Sequence, residues 1–430
     1  MNWDLVKMVK YANVKGTKDL FFEDIKKFRK IIDVCVKVAE SYGFSEIYTP
    51  IMEFEDLFIK NIGEDSDIIN KEIYSFLDRN EKRIALRPEG TAPVVRSLIS
   101  NGLLHLLPLK FFYYGPMFRY ERPQQGRQRQ FHQFGIEYLG ADSFYNDVEI
   151  IKIADNILNN LSIKKYKLEI NYIGTELERD VYKKHLKDFL TKYFKELSED
   201  SKRRFEDNPL RILDSKNEID KQILVDAPKI IEFIENSGLE NFENIQKYLK
   251  LNEITFNVNY QIVRGLDYYN NLVFEFSTLE EKSQNAIIAG GRYDKLVEEM
   301  GGGKVNSVGF GIGIERLMIS TCEQIMEEKN LDVAVCKVSD ESSENNNIID
   351  KFIIELTNKI RSNNLKVNSL DSFLISKSLK IANKKNINTV IIVGIDEVCN
   401  KILTIKNMET GMEEKIKYEN IVDFLKGFIK

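Results

Sequence analysis

The sequence predicts an α+β protein in which an antiparallel sheet flanked by helices occupies residues 1–325 and a smaller α/β domain occupies 331–430. Three observations carry this expectation. At 430 residues the chain exceeds the size at which one core stops growing. Two aromatic and β-branched stretches, 111–121 and 131–139, enclose a polar segment with Pro123 and Gly126, which reads as a hairpin. After Asn330 the composition changes, and short apolar runs alternate with helical ones.

The elements follow in order. In 21–42, Ile25, Phe28, Ile32, Cys35 and Ala39 recur at three- and four-residue steps, an amphipathic helix ended by Gly43. FSEIYTPIMEF, 44–54, reads as one strand whose Pro50 suits an edge or an interface. A strand at 84–86 is broken by Pro88, and Thr91 is placed to cap a helix running to Ser100. In this turn Glu89 and Thr91 suit either capping or ligand binding. In the hairpin, alternation puts Arg119 and Glu121 on one face of the first strand, and Phe131, Gln133, Gly135 and Glu137 on one face of the second. Arg122, Arg127 and Arg129 lie between the strands.

An acidic helix, VEIIKIADNIL, and a strand, KYKLEINYIG, come next, followed by a highly charged helical insertion at about 175–252. Residues 255–262 and 272–276 read as a second hairpin turning at Asn270 and Asn271. SVGFGIGIERLMIS is a strand entering a helix; its GxGxG spacing is not a dinucleotide fingerprint, and GGGK at 301–304 lacks the remainder of a P-loop. In the last domain, strands are expected at 331–338, 365–370, 389–395 and 403–406, with helices from about Asn347, Phe373 and Asn420. On the middle helix Lys377, Lys380 and Lys384 share one face, either a solvated stripe or a surface for phosphates.

Composition limits the function. A net charge of −5 argues against binding nucleic acid through bulk charge. Cys35, Cys322, Cys336 and Cys399 form no CxxC, His105, His132 and His185 are dispersed, and no zinc site is expected. No apolar run reaches the length of a membrane span, and no secretory signal is evident, so a cytoplasmic protein without membrane contact is expected.

Six stretches carry a resemblance. The segment FFYYGPMFRYERPQQGRQRQFHQFGIEYLG resembles motif 2 of the class II aminoacyl-tRNA synthetases, 21–54 resembles motif 1, and SVGFGIGIERLMIS resembles motif 3. LRPEGT, RGLDYY and AGGRYD are similar to signatures of the histidyl-tRNA synthetase family, which the chain matches over nearly its whole length. The resemblance implies ATP and Mg²⁺, with Arg119 on the α-phosphate, Glu121 and Phe131 on adenine, and Arg127 and Arg316 on the outer phosphates. It implies a histidine site of Glu89, Thr91, Gln133, Glu137, Arg264, Tyr268, Tyr269 and Tyr293, with Arg264 and Arg119 flanking the reacting atoms. Glu137 and Tyr269 would supply the two hydrogen-bonding groups that an imidazole needs.

It further implies a homodimer built on the motif 1 strand and an anticodon-binding role for 331–430. tRNA(His) would be held by Gln124 and Arg122 in the motif 2 loop and by Lys377, Lys380 and Lys384. The segment 369–385 lacks the arginine expected near its start, which leaves the anticodon-reading residues open. Two rivals share the fold: a non-catalytic regulatory paralogue of ATP phosphoribosyltransferase, and an RNA-binding module on an inactive core. Arg264, Arg316 and the last hundred residues speak against the first, and an intact pocket speaks against the second.

Overall fold

A computed structural model describes residues 11–62, 68–124, 126–263, 265–279, 286–321, 333–370 and 375–427. The chain divides into two compact units, Met1–Met326 and Glu327–Lys430. The first unit contains β1 (Ser45–Glu46), β2 (Met52–Phe54), β3 (Tyr74–Leu77), β4 (Arg83–Leu86), β5 (Leu109–Phe118), β6 (Gln130–Leu139), β7 (Tyr166–Tyr172), β8 (Asn257–Val258), β9 (Asn270–Thr278), β10 (Ala286–Arg292) and β11 (Ser307–Gly313). Eight of these form one sheet in the order β1-β5-β6-β11-β10-β9-β7-β8, and β2-β4-β3 form a smaller one. The large sheet is antiparallel throughout its middle and parallel only at its two outermost pairs.

Alternation gives the large sheet two different faces. On β6, Phe134 and Ile136 are fully buried in the core with Phe112 and Phe310. That core is closed by the helices Glu23–Ser41 and Phe144–Asn160, and burying each such side chain contributes about 1.5–3 kcal/mol. The odd-numbered residues of β6, from Phe131 to Glu137, face the other way. Capping fixes the flanking helices. Gly43, at φ 78°, ends the first in the left-handed region that favours glycine, and Ser143 with Asn146 forms a capping box at the start of the second.

Several elements differ from expectation. The stretch 44–54 is not one strand: β1 joins the large sheet and β2 the small one, with Pro50 in the break where no ladder donor is available. The motif 2 strand ends at Phe118, so Arg119 and Glu121 extend from irregular backbone rather than from one strand face. Residues 255–276 form no hairpin. β8 is a two-residue edge strand beside β7, while β9 pairs with β7 and β10, and 265–269 wall the cavity described below instead of pairing. The insertion holds the helices Glu176–Thr191, Glu199–Asp207, Glu218–Leu224 and Asn236–Leu251.

The second unit has a five-stranded sheet of β12 (Val333–Lys337), β13 (Val367–Leu370), β14 (Thr389–Val393), β15 (Ile402–Asn407) and β16 (Glu413–Lys417), ordered β13-β12-β14-β15-β16. The first three strands are parallel, and the last two are antiparallel additions. Helix Ser343–Arg361 packs with Ile421–Lys426 on one face and helix Ile375–Lys384 covers the other, giving two apolar layers. β16 was not expected, because EEKIK offers one partly buried residue and reads as a charged edge. Helix Ser343–Arg361 begins earlier than Asn347 because Ser342 accepts from the Asn345 amide as its cap. Leu331, Phe373 and Leu374 lie outside the described residues.

Candidate active site

The cavity-facing side of β6 begins with a buried carboxyl. Glu137 is 1% exposed. Its Oε1 accepts from the Thr91 hydroxyl at 2.7 Å and from Tyr113 at 3.4 Å, and its Oε2 accepts from Tyr293 at 2.5 Å. Burial pushes the carboxyl up to about 8, outweighing hydroxyl hydrogen bonds that act the other way. Two features make room here. Tyr113 is slotted between Gly90 and Gly135, where any β-carbon would overlap its ring. Gly309 and Gly311 on β11 pair with Glu137 and Gly135 across the ladder, and a β-carbon on either would collide with the Glu137 carboxyl or the Gln133 amide.

Above this layer lies a cavity of about 200 Å³. Arg119, Arg127 and Arg316 all line it. Arg119 donates to the Pro88 carbonyl at 2.8 Å and lies over the Phe131 ring, 5.2 Å from its centroid. Arg316, in the first turn of helix Ile314–Ser320, donates to the carbonyls of Gly126 at 3.2 Å and Ala286 at 2.8 Å. Burial holds its pKa down, and repulsion from Arg127 adds to this. Arg127 Nε is 3.1 Å from Glu121 Oε2, an ion pair whose alignment leaves neither atom in a formed hydrogen bond.

The cavity's other carboxylates are engaged elsewhere. Glu89 accepts from the amides of Thr91 at 2.6 Å and Ala92 at 2.9 Å, capping helix Thr91–Ser100, and burial raises its pKa. Glu315 accepts from the His132 amide and lies 2.8 Å from that residue's ring Nδ1. Among the described residues, Glu121 is the lining carboxylate that stands within ion-pair distance of these guanidiniums, 3.1 Å from Arg127 and 4.0 Å from Arg119. Three guanidiniums brought together in a half-buried space suit a polyanion.

The cavity is also walled by Gly265, Leu266, Tyr268 and Tyr269. Among the described residues, the Tyr268 hydroxyl and Gln133 Oε1 are buried with no hydrogen-bond partner, so two polar atoms there are left for a ligand. Arg264 lies outside the described residues.

Most residues singled out from the sequence thus converge. Glu89, Thr91, Arg119, Glu121, Arg127, Phe131, Gln133, Tyr268, Tyr269 and Arg316 line one cavity. Glu137 and Tyr293 do not; they form the layer beneath it. Thr91 is the first helical residue rather than the cap, because Glu89 takes that role and frees the Thr91 hydroxyl for Glu137. Arg122 and Gln124 are exposed between β5 and β6, and Gln124 pairs with Arg127 backbone to backbone around Gly126. Lys377, Lys380 and Lys384 are exposed on their helix.

No local pattern pointed to the His132–Glu315 pair, which lies next to Arg316 and depends on two distant segments meeting. The sequence also concealed what AGGRYD does. Arg292, 5% exposed, binds Asp147 at 2.7 Å and Asp294 at 3.1 Å, and Asp294 also accepts from the Ser307 amide, so these charges tie β10 to its neighbours. Burial raises the Asp147 carboxyl to about 7 even beside this arginine.

A largely antiparallel sheet whose hairpin and whose last strand-to-helix junction bring three arginines to one cavity is the design of the class II aminoacyl-tRNA synthetases, and this chain has that design. Residues 16–317 match the family model described as histidyl-tRNA synthetase, and residues 332–427 match the anticodon binding domain. The histidine-tRNA ligase of Malacoplasma penetrans is 42% identical, with 97% of this chain and 98% of that protein aligned. The chloroplastic histidine-tRNA ligase of Pyropia yezoensis is 41% identical over 97% of each chain. A crystal structure of apo histidyl-tRNA synthetase from S. aureus superposes with a TM-score of 0.78 at 31% identity, covering 97% of this chain and all of that one. The chain belongs to the histidyl-tRNA synthetase family.

Proposed function

We propose that the protein activates histidine with ATP and transfers the histidyl group to the terminal ribose of tRNA(His). The observation that carries this reading is the convergence of Arg119, Arg127 and Arg316 on one cavity, with Glu121 beside Arg127. In the first step a histidine carboxylate oxygen bonds to the α-phosphorus of ATP while the bond to the leaving pyrophosphate breaks. No side-chain nucleophile is needed, since the attacking oxygen is already an anion. The protein aligns the two anions and neutralises the charge that develops between them.

Each wall has a part in this scheme. Arg119 takes the α-phosphate, Phe131 stacks on adenine, Glu121 accepts from the adenine amino group, and Arg127 and Arg316 hold the outer phosphates. Glu89 keeps acceptor capacity after its two amide bonds, and a substrate ammonium beside it would offset the cost of burying its charge. Thr91, Gln133, Tyr268 and Tyr269 surround the imidazole, with Glu137 and Tyr293 directly behind, and Arg264, next in sequence to the cavity-lining Gly265, completes the site. Mg²⁺ would arrive on the triphosphate, its usual ligand, and would supply further neutralisation there.

The same reading assigns catalysis to residues 1–325, including the insertion at about 175–252, and anticodon binding to 331–430. Lys377, Lys380 and Lys384 would contact tRNA phosphates, and Arg122 and Gln124 the acceptor end. Tyr48, Met52, Phe54, Phe76 and Leu77 are 46–74% exposed around β1, β2 and β3, an apolar face that a second copy would cover in a homodimer. A cytoplasmic location fits protein biosynthesis, and among the described residues no helix is long and apolar enough to cross a membrane.

The test is ATP–pyrophosphate exchange with each amino acid in turn and no tRNA. Exchange with histidine alone is the expected result. A folded protein that binds histidine but exchanges with no amino acid would refute catalysis and favour the regulatory paralogue.

A further inference from the structure

The wall segment 265–269 has a hollow on each side. Its front faces the cavity just described. Behind it lies a second cavity of about 240 Å³, lined by Leu266, Asp267 and Tyr269 and by side chains of the helical insertion, among them Arg179, Tyr182 and Arg211. The segment belongs to no strand or helix, so no ladder fixes its position. In front, the Tyr268 ring rests against Tyr269 and Tyr293, with centroids 4.8 and 5.9 Å apart.

Two guanidiniums cross the rear hollow. Arg211 Nη2 donates to the Gly265 carbonyl at 2.8 Å, and Arg179 Nη1 donates to the Tyr269 carbonyl. They hold the first and last residues of the segment. Arg179 stands on helix Glu176–Thr191, whose start is secured by a Thr175–Glu178 capping box, and Arg211 stands in the short 3₁₀ turn Pro209–Ile212. Among the described residues Arg179 has no carboxylate within ion-pair distance, although burial lowers its pKa, so a buried cation is directed at a carbonyl. Neither arginine lines the front cavity.

We propose that Arg179 and Arg211 are positioning residues for the amino-acid half of the reaction: by fixing the carbonyls at both ends of segment 265–269, they set where Tyr268 and Tyr269 stand against the substrate. The helical insertion is then part of the histidine site. This rests on reading the front cavity as the site of histidine activation.

The experiment compares the full-length wild type with Arg179→Lys, Arg211→Lys and the double variant in histidine-dependent ATP–pyrophosphate exchange, varying histidine and ATP separately. Lysine keeps the charge but loses the planar fork and its reach. Each single variant should raise KM for histidine about tenfold, the loss of one charge-assisted hydrogen bond, while KM for ATP stays within about twofold. Melting temperatures should match the wild type. A second measurement adds millimolar guanidinium to Arg211→Ala, and partial recovery of the histidine KM is expected. An unchanged histidine KM in a normally melting double variant overturns the proposal. So does a parallel rise in both KM values with a lowered melting temperature, which would make the arginines supports of the fold alone. A wild type without histidine-dependent exchange removes the functional reading itself and this proposal with it, whereas an active wild type with unaltered variants removes only the proposal.

Discussion

Glu137→Gln should make the protein more stable in alkaline buffer while weakening its hold on histidine. The carboxyl is 1% exposed, and burial raises it from the ordinary 4.5 to about 8. The folded chain therefore keeps a proton that the unfolded chain releases. Stability is unaffected below the unfolded value, falls as pH rises from about 4.5 to about 8, and levels off above that. At about 1.4 kcal/mol per pH unit the full window would cost about 4–5 kcal/mol, and relaxation around the charge reduces this to about 2–3 kcal/mol. Glutamine is neutral in both states and nearly isosteric. Its advantage should be about 1 kcal/mol or less near pH 5.5 and about 2–3 kcal/mol near pH 9. Urea unfolding followed by circular dichroism at both pH values gives the stabilities, and calorimetric titration near pH 7 gives histidine affinity. Equal stabilities across this range, or a less stable variant near pH 9, would show that the carboxylate is charged in the fold and that the argument from burial is wrong.

Five other variants probe separate parts of the structure. Arg316→Gln should lower the rate of exchange by roughly 10²–10³-fold with the fold retained, as single-turnover kinetics and a melting curve would show. Gly309→Ala and Gly311→Ala should differ: the first drives a methyl into the Ile136 carbonyl as well as Glu137 and should cost several kcal/mol by urea titration, while the second meets only the movable Gln133 side chain and should mainly raise substrate KM. Replacing Lys377, Lys380 and Lys384 together by glutamate should raise KM for tRNA in aminoacylation and leave tRNA-free exchange intact. Phe54→Glu with Leu77→Glu should yield a monomer by light scattering, where a dimer is the expected state of the unaltered protein.

What could be read from the sequence depended on whether the signal was local. Alternation on β6 correctly put Phe131, Gln133, Gly135 and Glu137 on one face, and the glycines of 307–313 correctly marked a strand running into a helix. Alternation failed where a chain break overrode it. Pro50 separated β1 from β2, and the backbone beyond Phe118 left the strand while its sequence still resembled one. The second hairpin was misread because turn chemistry at Asn270 and Asn271 was real, with Asn271 at φ 50°, but the partner strands were β7 and β10.

Depth was the other missing quantity. Nothing in LRPEGT says that Arg87 is 1% exposed and donates to the Thr49 and Pro116 carbonyls, or that Glu89 rather than Thr91 caps the helix. Glu137 could be named as a site residue but not placed behind the wall instead of in it. The grip of Arg179 and Arg211 on 265–269 joins residues 90 and 54 positions apart, and no periodicity spans such distances.

The tyrosine held between two glycines limits how this site can change over generations. Gly90 and Gly135 leave no room for a β-carbon while the Tyr113 ring lies between them, and shortening the ring first would empty a packed slot and remove a donor to Glu137. Each single step away from this arrangement therefore passes through a worse protein. The three positions should be inherited as a unit, and a lineage that altered one of them would have needed all three changes almost at once. A pocket built this way resists gradual retuning, so new specificity would enter more readily through the wall segment 265–269.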